Sequence, residues 1–471
     1  MNFQGYMFFV QKEKGKNKIS HARKKEALKA FMLIEALTVI FIFSVIMTTF
    51  YAAFATGTRA IIDVKNRLGA ISLANEKMEI VRNLNYANVG ISGGIPNGNI
   101  LADENVSANG KNYHVKTFIQ YVDDSLDGIY PTDTIPNDYK RVRISVAWNN
   151  GISSVGNVYV VSRFVPYGLE SSVGGGVLAI NIVDGTGAGV SRADVHVVNS
   201  TVSPAVNFSA QTSDLGNLMF PGALPSTQNY QLTVSKSGYE AVATLPPYPI
   251  TASYYPTDVH ASVTTGALNV KTVVINRLAN LHIFTADGAG NKISDVPCDF
   301  SLTGGRIIGT TPDMTHDPIY SIQNQSSSVP TGGEKDFDII SPGQYALTVS
   351  VPSGYALVGI DPATPFSLEP DTTLEAKIKL AEMNSSALLL TVEDATSKVI
   401  SGAQVELRDA LGYNVVQLTG VDGKVFFLNG TDPLSPGTYD LKVIAVGYQE
   451  NNSQVVIVET ELKTATITMI P

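Results

Sequence analysis

The sequence predicts a mostly β protein that begins with one long helix, continues with a small α+β head built on that helix, and ends in three β-sandwich domains. Three observations predict this fold class. An apolar run begins near residue 31, short runs rich in Val, Ile, Thr and Tyr fill most of the remaining chain, and parts of the C-terminal region repeat one another. At 471 residues the chain is long for one domain, so several small domains are expected.

Composition limits the partners and the chemistry of the chain. The formal net charge is -9, and the basic side chains are concentrated in residues 1–30, so the rest of the chain is more acidic still. An acidic surface argues against nucleic acid as a partner. Cys298 is the single cysteine, which excludes a disulfide framework and a cysteine zinc cluster. We expect no cofactor and no bound metal.

The apolar run at residues 31–55 contains one charged residue, Glu35. About twenty apolar residues suffice for a helix to cross a bilayer, and the basic flank before the run predicts an N-in, C-out orientation. A secretory signal peptide is the alternative, but the run is longer than the usual apolar region and no loop follows it. Apolar residues recur at helical spacing up to Val81, which predicts one continuous helix.

This segment resembles the type IV pilin and pseudopilin family. The matching features are the basic leader, the small residue Ala30, and "FMLIEALTVI" with Phe31 as the first residue of the mature chain and Glu35 as its fifth. The resemblance implies cleavage between Ala30 and Phe31 by a prepilin peptidase, usually followed by methylation of the new amine. Ala30 stands where the family strongly favours Gly. The resemblance also implies assembly with other pilin subunits through the helix.

Glu35 poses a physical question, because a carboxylate inside a membrane span is costly, by about 2.5–3.5 kcal/mol near the centre of the helix. After cleavage, the new amine of Phe31 lies one helical turn from Glu35, and an ion pair neutralises both charges. In a filament, the resemblance implies that Glu35 pairs with the amine of a neighbouring subunit. The alternative is a carboxylate that extends to the cytoplasmic face of a simple anchor helix.

After the helix, alternating runs predict antiparallel strands. "VRISVAW" places Val142, Ile144, Val146 and Trp148 on one face, which we expect to pack on the second half of the helix. An Asp-rich segment between two strands, Asp123 to Asp138, opens with the spacing of a calcium loop but has Thr134 where the loop needs Glu. A solvated turn capped by Asp residues is the other interpretation.

The C-terminal region contains an internal repeat. "ADVHV" at Ala193 recurs as "AQVEL" at Ala403, and "YQLTVSKSGY" at Tyr230 recurs as "YDLKVIAVGY" at Tyr439. A divergent middle copy contains "PGQYALTVSVPSGY", residues 342–355. These copies resemble the carboxypeptidase regulatory-like, or transthyretin-like, β-sandwich family. The resemblance implies Ig-like, non-catalytic spacer or adhesive modules on an exported protein.

The predicted domains follow from these boundaries. They are a basic leader (1–30), the long helix (31–90, with the membrane span at 31–55), a β head (91–168), and sandwiches at 177–277, 278–380 and 384–471.

The sequence favours a structural protein over an enzyme. It contains no nucleophile motif, no paired-histidine metal spacing and no phosphate loop. Three function classes remain: a minor pilin that carries extracellular sandwiches with adhesive potential for a cell-surface or glycan ligand, a pseudopilin of a secretion or DNA-uptake system, and a surface protein anchored by one helix. The first is favoured because added sandwiches are easier to place at the tip or flank of a filament than inside its shaft. The chain would lie in the cytoplasmic membrane before assembly and in an extracellular filament or on the cell surface afterwards.

Overall fold

The computed structural model of the chain describes residues 33–124, 137–149, 155–166, 174–250, 252–430 and 432–471. It contains one long helix and 28 strands within these residues, which confirms the predicted fold class. The predicted leader, Ala30 and Phe31 lie outside the described residues, as does most of the Asp-rich segment.

Helix α1 (Leu33–Arg82) is continuous over 50 residues. The chain divides into two compact units within this helix, one ending at Leu68 and the other beginning at Gly69. The first unit is therefore helical throughout its described part.

The second unit opens with the head. A 3₁₀ helix (Tyr86–Asn88) precedes four antiparallel strands in the order β1-β2-β3-β4. The strands are β1 (Asp103–Ala108), β2 (Lys111–Val122), β3 (Tyr139–Asn149) and β4 (Val155–Phe164). Asn109 and Gly110 join β1 to β2 with φ of 52° and 74°, the two positive values that a tight hairpin turn requires.

The core of the head lies between its sheet and the last part of α1. The predicted apolar face of β3 is fully buried at Val142, Ile144 and Val146 and nearly so at Trp148. It packs against helix residues that share one face: Ala70, Leu73, Ala74, Met78 and Val81. The prediction that this strand face covers the second half of the helix is therefore confirmed.

The first sandwich consists of two facing sheets, in the orders β13-β5-β8 and β10-β9-β6-β7, with β12 also paired to β9. Its strands are β5 (Gly176–Val183), β6 (Asp194–Asn199), β7 (Val206–Gln211), β8 (Asn217–Ala223), β9 (Ser226–Ser235), β10 (Val242–Ala243), β12 (Ala261–Val263) and β13 (Leu268–Val274).

The second sandwich has sheets in the orders β17-β14-β21-β19 and β11-β15-β18-β20, with β16 also paired to β15. Its strands are β14 (Ala279–Ala286), β15 (Cys298–Thr310), β16 (Pro318–Val329), β17 (Glu334–Ile340), β18 (Gly343–Ser350), β19 (Tyr355–Asp361), β20 (Phe366–Leu368) and β21 (Thr373–Glu382). Strand β11 (Tyr255–Pro256) falls within the predicted first repeat, yet it pairs with β15 of the second sandwich.

The third sandwich has sheets in the orders β25-β22-β28 and β24-β23-β26-β27. Its strands are β22 (Ala387–Asp394), β23 (Gln404–Arg408), β24 (Asn414–Leu418), β25 (Lys424–Phe427), β26 (Gly437–Ile444), β27 (Asn451–Ile457) and β28 (Leu462–Met469).

One buried tyrosine recurs at the corresponding place in all three sandwiches. Tyr230, Tyr345 and Tyr439 are each at most 1% exposed. Their hydroxyls donate to the backbone carbonyls of Leu224 (2.7 Å), Ser341 (2.6 Å) and Ser435 (2.9 Å). A buried phenol needs such an acceptor, so the repeated Tyr ties the start of its strand to the preceding loop.

Candidate membrane and assembly helix

The first part of α1 presents an apolar surface with no protein partner among the described residues. A helical stretch within Ala36–Arg82 reaches a mean hydropathy of 2.1, and none of that stretch is buried. Large apolar side chains are exposed all round it, including Leu37, Val39, Ile40, Phe41, Ile42, Phe43, Val45, Ile46, Phe50 and Phe54. By length and composition this helix is able to cross a membrane.

The serine and threonine hydroxyls of this stretch are satisfied within the helix. Ser44 donates to the carbonyl of Ile40 (2.7 Å), Thr48 to that of Ser44 (2.9 Å), and Thr56 to that of Ala52 (2.8 Å). Hydrocarbon offers no hydrogen-bonding partner, so polar groups in a lipid-facing helix must find acceptors on their own segment. The apolar segment therefore carries its serine and threonine hydroxyls without exposing unpaired donors.

The predicted processing and assembly residues lie at the start of this helix. The backbone at Glu35 is helical. Its side chain, together with Ala30 and Phe31, lies outside the described residues. The pairing of Glu35 with an amine therefore remains a prediction.

The helix meets the head sheet through a close approach at Gly69. A Cβ atom at this position would lie 2.4 Å from the hydroxyl oxygen of Tyr113, which is itself buried. Glycine is therefore the residue that lets the helix approach β2 so closely. Beside the core, Lys77 and Glu104 form an ion pair at 2.7 Å that joins the helix to β1.

A buried lysine stabilises the turn that follows the helix. Lys140 on β3 is 2% exposed, and its ammonium donates to the carbonyls of Tyr86 (2.8 Å) and Val89 (2.7 Å). The ammonium also lies 4.5 Å from the centre of the Tyr86 ring. Burial lowers the pKa of Lys140 to about 8. Sequence reasoning missed this residue because a lone Lys on an alternating strand is usually solvated.

Three arginines converge on one carboxylate where the head meets the first sandwich. Arg141 and Arg143 of β3 approach Asp214 at 3.4 and 3.3 Å, and Arg192 of the first sandwich approaches it at 2.9 Å. The guanidinium of Arg192 also lies 4.2 Å from the centre of the Phe118 ring. Asp214 therefore joins two domains that the sequence connects through a Gly/Ser-rich segment.

One group of ligand-type side chains lies on the second sandwich. His282 Nδ1 is 3.1 Å from a carboxylate oxygen of Asp336 and 3.6 Å from one of Glu334. Lys292 also contacts Glu334, and its ammonium is the main reason that the pKa of this carboxyl is lowered. These four side chains balance one another in charge when His282 is protonated. These residues span 55 positions in the sequence, so the sequence alone did not indicate that they lie close together.

An open cleft of about 580 Å³ lies between the second and third sandwiches. Apolar side chains such as Val358, Val421 and Phe426 line it together with two lysines. Lys379 pairs with Asp361 at 3.3 Å, and Lys424 donates to the carbonyl of Leu357 at 3.2 Å. Both ammonium groups are thus engaged in contacts within the chain.

Comparisons with known proteins give little guidance about function. No family model and no curated protein sequence match the chain. Among solved structures, it is similar to the Bacillus anthracis TIE protein, with 15% identity over 71% of this chain and 59% of that chain at a TM-score of 0.19. It is also similar to a streptococcal ancillary pilin (13% identity, 62% and 98% coverage, TM-score 0.19) and to BcpA, the major pilin subunit of Bacillus cereus (11% identity, 63% and 99% coverage, TM-score 0.17). At TM-scores of 0.17 to 0.19 these similarities carry no inference about function.

Proposed function

We propose that this chain is a minor pilin-like structural subunit of a type IV pilus-type filament that displays its β-sandwiches outside the cell. The observation that carries the proposal is the motif "FMLIEALTVI" at the start of an exposed, continuous apolar helix whose last turns form the core of a small antiparallel sheet. A simple anchor helix requires neither the glutamate at its start nor the sheet packed on its end.

Glu35 is central to the proposed assembly. It is the single charged residue in the apolar run, and a partner of opposite charge would remove its cost in lipid. Cleavage before Phe31 would create that partner as a free amine. In the proposed filament, Glu35 pairs with the amine of a neighbouring subunit and thereby sets the axial position of each helix.

The proposed life cycle has two locations. The unassembled chain lies in the cytoplasmic membrane with its basic leader inside, where a prepilin peptidase cuts between Ala30 and Phe31. After assembly, the sandwiches lie outside the cell and present their surfaces to a cell-surface or glycan ligand. The proposed role is structural, without catalysis.

Two alternatives share parts of this proposal. A pseudopilin of a type II secretion or DNA-uptake system would use the same helix within a short filament. A single-span surface protein would use it only as an anchor. The motif around Glu35 favours a filament subunit over the anchor, and the three added sandwiches favour a displayed subunit over a shaft component.

Processing is the first test. Coexpression with a prepilin peptidase is expected to give a mature chain that begins at Phe31, with the whole leader removed. Intact mass spectrometry of the purified protein measures the new terminus. Ala30→Gly should be cut at least as completely, because Gly is the residue that the resembled family favours at this position. A mature chain that still contains Ala30 would contradict the processing proposal.

Assembly is the second test. Glu35→Val is expected to insert in the membrane as well as the unchanged protein, because it removes a charge from lipid, yet to be largely lost from sheared filaments. Immunoblots of membrane and filament fractions measure both effects. Glu76→Val is the matched control, since Glu76 lies exposed on the same helix beyond the apolar run. Equal filament content for the two variants would leave Glu35 without an assembly role.

A further inference from the structure

The first and last strands of every sandwich are parallel neighbours. In the first sandwich, β5 and β13 pair in parallel over seven residue pairs, from Val177 with Leu268 to Val183 with Val274. In the second, β14 and β21 pair in parallel over seven pairs. In the third, β22 and β28 pair over eight, from Ala387 with Leu462 to Asp394 with Met469.

This pairing determines where the chain enters and leaves each sandwich. The first strand begins at one end of the ladder, and the last strand, running in the same direction, finishes at the other end. A pull on the two chain ends therefore draws two neighbouring strands past each other along their length. All the ladder hydrogen bonds then share the force, whereas a pull on two strands from the same end opens the bonds one at a time.

The surroundings of each ladder strengthen this arrangement. In each case the first strand is an interior strand, held on its other side by β8, β17 or β25. Buried side chains on these strands hold them to the opposing sheet as well: Leu178, Ile180 and Ile182 on β5, and Leu388, Leu390 and Val392 on β22, are all 0% exposed. A first strand cannot slide without breaking a second ladder and exposing apolar surface.

The connections between sandwiches are short and bound on both sides. Four residues, 275–278, separate β13 from β14, and four, 383–386, separate β21 from β22. Within the first connection, the amide of Leu278 donates to the carbonyl of Gly238 of the first sandwich (3.0 Å), and its carbonyl accepts from the amide of Asp371 of the second (3.3 Å). Within the second, the amide of Met383 donates to the carbonyl of Gly354 of the second sandwich (2.9 Å), and its carbonyl accepts from the amide of Leu462 of the third (2.8 Å). Force on one sandwich thus passes directly into the next.

We propose that the three sandwiches form a load-bearing extension in which parallel first-to-last strand ladders transmit tension in shear. The proposal rests on the proposed function, because a pull requires attachment through the N-terminal helix and a contact made by the distal sandwiches. Under such a pull, all the hydrogen bonds of a ladder resist the unfolding of its sandwich together. The chain therefore keeps its length while the distal sandwiches hold their contact.

The test compares two directions of pulling on the same sandwich. In the purified full-length chain in detergent, Asn384→Cys with Pro471→Cys carries handles at the two opposite ends of the β22–β28 ladder. The control pair, Ala395→Cys with Pro471→Cys, carries them at the same end. All three positions are exposed. Cys298 is buried and burial raises its pKa to about 11, so the handles attach to the new thiols.

Single-molecule force spectroscopy then gives a rupture force for each pair. We expect the opposite-end pair to rupture at a force at least about twofold higher than the same-end pair at equal pulling speed, since forced unfolding follows the barrier along the direction of pulling. Both variants share one folded structure, so their equal thermal stability is the control. Equal rupture forces would overturn the proposal. This outcome is independent of filament assembly, which the Glu35 variants test separately.

Discussion

Arg306→Ala is expected to lower the free energy of unfolding of the joined first and second sandwiches by about 3–5 kcal/mol, because it leaves the buried carboxylate of Glu240 without its cation and removes one of the two cations that pair with Asp258. The Arg306 guanidinium on β15 donates to Glu240 (3.1 Å) and to Asp258 (2.6 Å), both from the first sandwich. The Glu240 side chain is 6% exposed, that of Asp258 14% and that of Arg306 16%. Glu240 also accepts from the backbone amide of Asn276 (2.9 Å) and from the hydroxyl of Ser341.

Differential scanning calorimetry of the full-length protein in detergent measures this loss. A transition assigned to the joined sandwiches should fall by roughly 10 °C, given the usual relation between stability and Tm for about 200 residues. Arg408→Ala is the matched control, because Arg408 pairs with Asp440 at 3.4 Å on the exposed surface of the third sandwich. Arg408→Ala should lower the free energy of unfolding by at most about 1 kcal/mol. If Arg306→Ala lowers the transition temperature no more than the control does, the buried network contributes nothing to stability.

A neutral replacement of the whole network separates the missing cation from the missing contacts. Because Lys271 also pairs with Asp258 (3.8 Å), Arg306→Met combined with Glu240→Gln, Asp258→Asn and Lys271→Met is the combination that leaves no charge of this network unpaired. We expect this quadruple variant to retain more stability than Arg306→Ala alone, since removing all charges of a buried network is far less costly than removing one partner.

Gly156→Leu is expected to destabilise the head by about 3 kcal/mol, the upper end of the usual cost of overpacking. Gly156 on β4 lies opposite Trp148 on β3, and the indole ring covers it. A Cβ atom at this position would lie 2.2 Å from Cζ2 and 2.3 Å from Cε2 of Trp148. The new side chain must therefore displace an indole that is 4% exposed and packs in the core beneath α1.

Fluorescence reports this displacement directly, because Trp148 is the single tryptophan of the chain. We expect its emission to shift to longer wavelength as the indole meets water, together with earlier unfolding of the head in urea. Asn157→Leu places the same side chain on the adjacent, solvent-facing position of β4 and should leave the emission unchanged. An unchanged emission in both variants would mean that the ring can move within the core without exposure.

Much of the fold follows from local pattern. The alternation in "VRISVAW" predicted the buried face of β3 because period two determines which side of a sheet each residue occupies. The repeat that starts at Tyr230 and Tyr439 predicted equivalent strands because the same residues recur in the same order. The apolar run at residues 31–55 predicted the exposed part of α1 from length and hydropathy alone.

The joining of the sandwiches was not predictable from pattern. Strand β11 has two residues, too few to show alternation, and its partner β15 lies in another repeat. The contact between Glu240 and Arg306 spans 66 residues, and neither residue stands in a recognisable motif. Long-range contacts of this kind depend on how folded domains pack against each other. The side chain of Glu35, the central candidate for assembly, lies outside the described residues, so its role depends on the proposed experiments.

The parallel pairing of first and last strands also bears on how such a chain changes in evolution. Each sandwich receives the chain at one end of a ladder and releases it at the other, so an extra copy inserted in frame would add reach without disturbing the copies on either side. If the first and last strands were antiparallel neighbours, the chain would leave each sandwich at the end where it entered. Such a duplication would produce two similar sequences, like the segments that begin at Ala193 and Ala403. In related chains, the number of sandwich copies would then determine the distance between the last domain and the membrane.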